Sequence, residues 1–342
     1  MPEQDPDATV KARSPLAARS GMRGHIAKAL NPVALFSALA ALVALGAAAY
    51  LLFSATAPAP VNEGQQSPTS GLPMPSPGPR LIFPHRGEDE ILAQQALLPM
   101  AAWFAPNPLI LVVDYPDLRS QGSAFNRMAA YIEKAGLPRD RVLSDRELSA
   151  AILSDGATPE TFYYGHDYRI SDVVRFFAMA DRQKIELSPQ EELLRSLLFG
   201  ARGFVNSPTG AIISIPREGS DSFVDASGRA SLLRHELSHG EYFTTPAYAE
   251  FCRHFWTNEM TESDRNGFRH FLVRQGYDAT DEDLLINEMQ AHLMHTTDAR
   301  YFNARESGLS SIRIKTLRLQ FAAGMPAGWL KDAVRTVVTK LP

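Results

Sequence analysis

The sequence predicts an α+β fold, and three observations carry that expectation. Two short β-branched apolar runs, LILVV at residues 109–113 and AIISI at residues 211–215, are closed by aspartate, glycine or proline, as buried strands are. Apolar residues recur at three- and four-residue spacing between these runs, and almost without interruption after residue 225. Hydrophobic residues make up 45% of the 342 and charged residues 21%, enough to bury a substantial core.

The chain is divided before that core begins. Residues 32–54 form an uncharged apolar run that, at ~1.5 Å per residue, is long enough to cross a ~30 Å hydrocarbon layer, so a transmembrane helix is expected there. Lys11, Arg13, Arg19, Arg23 and Lys28 precede it, whereas residues 54–79 contain no Lys or Arg. The positive-inside rule therefore assigns residues 1–31 to the cytoplasm and the body to the other side. Ala55-Thr56-Ala57 resembles a signal-peptide cleavage site, but the long leader, the long apolar run and Pro58 just after the cut favour a retained anchor. Residues 55–80 carry seven prolines among Gly, Ser and Gln and read as an extended tether. At ~3.1 Å per residue it would reach roughly 80 Å. The alanine- and arginine-rich composition points to a bacterial inner membrane with the body in the periplasm.

The body divides into an α/β part, residues 81–200, and a metal-binding part, residues 201–342. Six of the 34 basic and four of the 38 acidic residues lie in the first 80, which leaves the body mildly acidic. With a net charge of −4 the chain has no overall positive field for a phosphate backbone, so nucleic acid is not an expected partner. Cys252 is the single cysteine, which excludes an internal disulfide and a thiolate-rich zinc site. It lies among Tyr248, Phe251 and Phe255 at core spacing and reads as a buried apolar thiol.

After the strand at residues 109–113, the spacing of Phe125, Met128, Ala129 and Ile132 predicts a helix over residues 125–134, with Gly136 as its stop. Residues 170–180 and 189–199 repeat the pattern, the latter with Ser188 as N-cap and Pro189 at the first helical position. Just before residue 170, Tyr163, Tyr164, His166 and Tyr168 read as packing. Beyond the strand at 211–215, Asp225 or Ser227 caps a helix that runs through Leu232, Leu233 and Leu237 to a stop at Gly240. Further helices open at Thr245-Pro246, at Thr261 (ending at Gly276) and near Thr280, where Asp281, Glu282 and Asp283 suit the helix dipole.

His235-Glu236-Leu237-Ser238-His239 is an H-E-x-x-H sequence on one of these helices. Positions 235 and 239 differ by about 40° around the axis, so both imidazoles leave one face a turn apart, where they can bind one zinc ion. Glu236 can reach a water on that ion without being a ligand, as a general base must. Six of the nine histidines, His235, His239, His254, His270, His292 and His295, fall in a 61-residue window. A third ligand is sought downstream, and Glu288 in Asn287-Glu288-Met289-Gln290-Ala291 is the best candidate because His292 and His295 share its helical face.

With these residues the chain resembles the gluzincin zinc metallopeptidases, in which one helix bears H-E-x-x-H and a second, often reading N-E-x-x-A, supplies a glutamate. His235, Glu236, His239, Asn287, Glu288 and Ala291 match, over roughly residues 209–297. A metzincin pattern would need Gly at 242 and His at 245, which here are Tyr242 and Thr245. The position four after the ligand glutamate, an aspartate in thermolysin-like members, is His292, so that aspartate's role does not carry over.

The resemblance implies a zincin-like body with one Zn2+ per chain on His235, His239 and Glu288, and Glu236 as base for hydrolysis of a peptide or protein. It likens residues 211–215 to the edge strand that binds extended substrate. His292, His295, Tyr242, Tyr248, His254 and Tyr301 are all candidates to stabilise the oxyanion, with His295 favoured by its facing. Two other readings stay open: a non-catalytic envelope protein whose metal staples two helices, and a zinc amidase acting on a cell-wall polymer.

Overall fold

The computed structural model describes residues 81–200 and 209–338, which belong to one compact unit. The expected cytoplasmic tail, transmembrane helix and tether, residues 1–31, 32–54 and 55–80, lie outside the described residues. Among the described residues no helix is long and apolar enough to cross a membrane.

A mixed five-stranded sheet organises the body. Its strands are β1 (His85–Arg86), β2 (Met100–Phe104), β3 (Ile110–Tyr115), β4 (His166–Arg169) and β5 (Ala211–Pro216), in the order β1-β2-β3-β5-β4. β3 and β5 run parallel, with Val112 opposite Ile213. β4 pairs antiparallel with β5, placing Asp167 opposite Ile213 and Tyr168 opposite Ile212. The sheet takes strands from both sides of residue 200, so the two parts of the body share one core. Both predicted strands form, and both are buried throughout because helices cover each face of the sheet.

The helices in chain order are α1 (Glu88–Leu92), α2 (Leu118–Ile132), α3 (Asp145–Ser154), α4 (Ile170–Gln183), α5 (Pro189–Gly200), α6 (Ala226–Thr244), α7 (Pro246–His254), α8 (Glu262–Gln275), α9 (Glu282–Gln290), α10 (Ala304–Ser307), α11 (Ser311–Gly324) and α12 (Trp329–Val338). Ile110, Val112, Ile213 and Ile215 pack with Leu233 and Leu237 of α6 on one face. Leu111, Val113 and Ile212 join a core with Phe125 and Met128 of α2 and Phe176 of α4 on the other. Alternate residues of one strand thus serve two helical layers.

α6 is capped by Asp225, whose side chain accepts from the Gly228 amide at 2.8 Å. It does not stop at Gly240 but continues to Thr244. A Cβ on Gly240 would stand 2.8 Å from the Ile110 side chain, so this glycine serves close approach of helix to sheet rather than termination. Arg229 fixes the first turn of α6 to the sheet. It donates to both oxygens of Asp114 at 3.0 and 2.8 Å, to the Ile91 carbonyl at 2.8 Å and to the Pro216 carbonyl, with both charged side chains buried.

Two helices end in π-helical turns, Phe255–Glu259 after α7 and Ala291–His295 after α9. The Thr296 amide donates to the Ala291 carbonyl five residues back at 2.9 Å, a spacing that rotates the last side chains away from the α-helical face. The expected edge strand, residues 211–215, is internal. It lies between β3 and β4, and the strand at the sheet edge beside α6 is β4.

Candidate metal centre

α6 and α9 bring the predicted ligands together. His239 Nε2 lies 3.0 Å from His235 Nε2, and the Glu288 carboxylate lies 3.6 Å from the former and 3.8 Å from the latter. Ligands ~2.0–2.2 Å from one tetrahedral ion would stand roughly 3.3–3.6 Å apart, within about 0.3 Å of each of these separations. All three residues are buried.

Neighbouring residues orient the donors. Thr296 donates its hydroxyl proton to the Ala291 carbonyl at 3.1 Å, so at 2.8 Å from His235 Nδ1 it accepts, and the proton on Nδ1 leaves Nε2 with a free lone pair toward Glu288. Gln290 donates to Ser238 Oγ at 3.2 Å, and Ser238 donates to the His235 carbonyl at 2.7 Å, which ties α9 to α6 at the level of the histidines. Tyr277 donates to Glu288.

Three further residues complete the cluster. His292 is wholly buried, with Nε2 3.5 Å from Glu288 and its ring 4.8 Å from that of His235. Asp167, on the edge strand β4, has an oxygen 3.8 Å from His239 Nε2 and hydrogen-bonds Glu236. Glu133, just past α2, accepts from the Tyr168 hydroxyl at 2.9 Å. Gly165 lies so close to Glu236 that a Cβ there would stand 1.9 Å from Oε1, so any side chain at 165 would displace that carboxylate.

Burial dominates the electrostatics. It holds His235 well below the ordinary imidazole value, with His239, His292 and His295 adding to the effect, and lowers His239 to about 4 and His292 to about 3. These rings are therefore neutral donors at neutral pH. Burial pushes the carboxyls the other way: Glu236 goes up with help from Glu288, Asp167 with help from Glu236, and Glu288 with help from Glu133. Glu133 itself rises to about 7. Glu236 Oε2, Glu288 Oε2 and both ring nitrogens of His292 are buried without hydrogen-bond partners. Convergent lone pairs, acids destabilised as anions and orphaned donor atoms are what a site for a dication consists of, and the residues fit zinc.

A cavity of about 10 Å³, room for about one water molecule, lies beside Glu236 and is lined by Glu133, Tyr163, Tyr164, Gly165, Asp167, His235 and Tyr277. The aromatic run at 163–168, read from sequence as packing, thus borders Glu236. Asp167, Glu133, Tyr163 and Tyr277 were not legible as site residues, because single acids and tyrosines on strands and loops have no repeat spacing; the His-Asp-Tyr-Arg alternation at 166–169 was the one available signal.

The favoured oxyanion donor is engaged by a neighbouring side chain. His295 sits at the end of the π-turn and turns Nε2 to the Tyr248 hydroxyl at 3.1 Å. That hydroxyl donates to Gln290 at 2.6 Å, so His295 is the donor in this contact and belongs to a buried structural network. The turn that carries it is wider than the α-helical one its expected facing assumes. Tyr242 donates to Asp283 and Tyr301 to the Phe223 carbonyl, while His254 contacts exposed Asn258.

No family model matches the chain, and no curated protein or solved structure matches it either.

Proposed function

We propose that the chain is a zinc-dependent hydrolase, a metallopeptidase that cuts peptide bonds outside the cytoplasm while tethered to the membrane by its N-terminal segment. The observation that carries this reading is a buried, unpartnered oxygen of Glu236 bordering a one-water cavity beside the convergent His235, His239 and Glu288. Zinc held by these three residues would supply a Lewis acid and bring a water's pKa toward ~7. Glu236 Oε2 takes the water's proton as its oxygen bonds to the substrate carbonyl carbon. Glu236 then returns that proton to the amine nitrogen as the C–N bond breaks. Tyr163, whose buried hydroxyl has no hydrogen-bond partner, lines the same cavity and can donate to the carbonyl oxygen as it gains charge.

The test is Glu236→Gln in the zinc-loaded chain. Zinc should stay near one per chain while casein hydrolysis falls by about 10²–10⁴-fold. Full activity in that variant would overturn the mechanism, and cleavage of cell-wall fragments in place of casein would move the substrate to an amide of the wall polymer.

His292 favours a second reading. As a fourth buried donor beside Glu288 it can close the coordination shell, which is the pattern of structural zinc. In that case Glu236→Gln changes nothing, and His235→Ala lowers thermal stability alone.

A further inference from the structure

A cleft of about 150 Å³ opens between β4, the end of α2 and the start of α9. Its walls combine apolar surface from Ile132, Phe243 and Leu284 with the carboxyl groups of Glu133, Asp167 and Asp172. Glu133 and Asp167 also line the one-water cavity beside Glu236, so the cleft adjoins the proposed reaction centre. Its volume is well below the ~300–1,000 Å³ that holds a drug-sized ligand and suits a single long side chain.

The charge of this lining is not balanced from within. Arg169 is engaged by Asp283 at 3.1 Å and lies over the Phe243 ring at 4.5 Å. Arg175 pairs with Asp172 at 3.1 Å from an exposed position. Glu133 is the decisive group. It is only 6% exposed, one oxygen accepts from Tyr168, and the other accepts no hydrogen bond among the described residues. The cations nearest to it are committed elsewhere: Lys134 bonds Asp155 at 2.8 Å, and Arg139 donates to the carbonyls of Ala130 and Lys134. Lys134 and Arg139 act on Glu133 only from a distance, so this buried acid with a free oxygen, at the end of an apolar-walled slot, has room for a cation bonded directly to it.

We infer that this cleft is a subsite for a lysine or arginine side chain of the substrate beside the cleaved bond, the stem lying on Ile132, Phe243 and Leu284 and the cationic head meeting Glu133, with Asp172 contributing from the wall. The substrate class is then a peptide with a basic residue at that position. This rests on the hydrolase reading, but the cation site itself is testable without turnover.

Two measurements on the full chain decide it. In the zinc-loaded protein, fluorogenic peptides that differ only by Arg, Lys, norleucine or Glu at each position flanking the cleaved bond should show kcat/KM about tenfold higher for Arg or Lys than for norleucine at one position, with Glu the poorest. Glu133→Gln should reduce the Arg-to-norleucine ratio about tenfold, and Asp172→Asn, which leaves Tyr168 untouched, should reduce it severalfold. Cleavage with no basic preference overturns the subsite and leaves the hydrolase. In the zinc-free protein, calorimetry with agmatine should detect binding that Glu133→Gln and Asp172→Asn weaken by similar factors. No binding, or binding that neither variant changes, overturns the inference even if peptides are cut. Variant-sensitive agmatine binding with no peptide cleaved upholds the cation site and removes the hydrolase reading.

Discussion

The candidate centre has a helical side and a sheet side, and they are built differently. On the helical side, His235 with His239 and Glu288 with His292 are i,i+4 pairs on two crossing helices, so the chain's own pitch aligns each pair before any tertiary contact forms. On the sheet side, Asp167, Gly165, Tyr163 and Glu133 reach Glu236 because β4 pairs antiparallel at the end of a sheet whose strands come from distant segments. The helical side gathers groups that could hold an ion; the sheet side shapes the space and the proton affinity around Glu236. Chemistry written in one turn of helix is local, whereas its surroundings exist only once the fold does.

The largest expected effect tests that division directly. His239→Ala removes one of three convergent donors and should take bound zinc from near one per chain to near none, read by metal analysis of purified protein. Asp167→Asn keeps the side chain's shape and removes only a sheet-side acid, so zinc should remain. If both variants emptied the site, Asp167 would be a ligand and the two-sided description would fail. The reverse result, zinc retained in His239→Ala, would mean that His292 carries the ion with His235 and Glu288.

A second, smaller effect sharpens the role of the sheet side. In Gly165→Ala the new methyl group would stand 1.9 Å from Glu236 Oε1, so the carboxylate must move. Because a displacement near 1 Å at the reacting group costs on the order of 10²-fold, kcat should fall by about that factor with zinc content unchanged. Loss of zinc together with activity would show that the strand braces the ligands and not only the base.

These contrasts also explain what the sequence conveyed. The strands at residues 109–113 and 211–215 and the helices bearing His235 and Glu288 were legible because burial on both sheet faces and helical periodicity leave strong compositional patterns. β1, β2 and β4 were not: His85–Arg86 is too short for any pattern, and His166–Arg169 is polar, with half its residues aimed at α6. The motif residues 235, 239 and 288 were visible for the same reason. The facing arithmetic that favoured His295 assumes an α-helical turn, whereas Ala291–His295 forms an i→i+5 turn. The edge strand was misassigned because strand order is a property of topology, which adjacent residues do not record.

The last comparison is between the imidazoles and the carboxyls as holders of the protons that an incoming ion must displace. His239 and His292 are lowered to about 4 and about 3 by burial, and His235 also lies well below its usual value, so between pH 6 and 8 these rings have no proton to lose. Glu288 is pushed well above the ordinary glutamate value, first by burial and then by Glu133, so in the metal-free protein it holds its proton to higher pH than an ordinary glutamate. Ionising it releases that proton, and mass action therefore makes zinc bind more tightly as pH rises, by up to about tenfold per pH unit for one proton. Competition against a chelator of known affinity at pH 6, 7 and 8 measures the slope. A site limited by histidines of ordinary pKa would stop gaining above ~6.5, whereas one limited by a buried carboxyl continues to gain. A gain that vanishes above pH 6.5 would return the competing proton to the helical imidazoles and remove the buried acids from the energetics of metal binding.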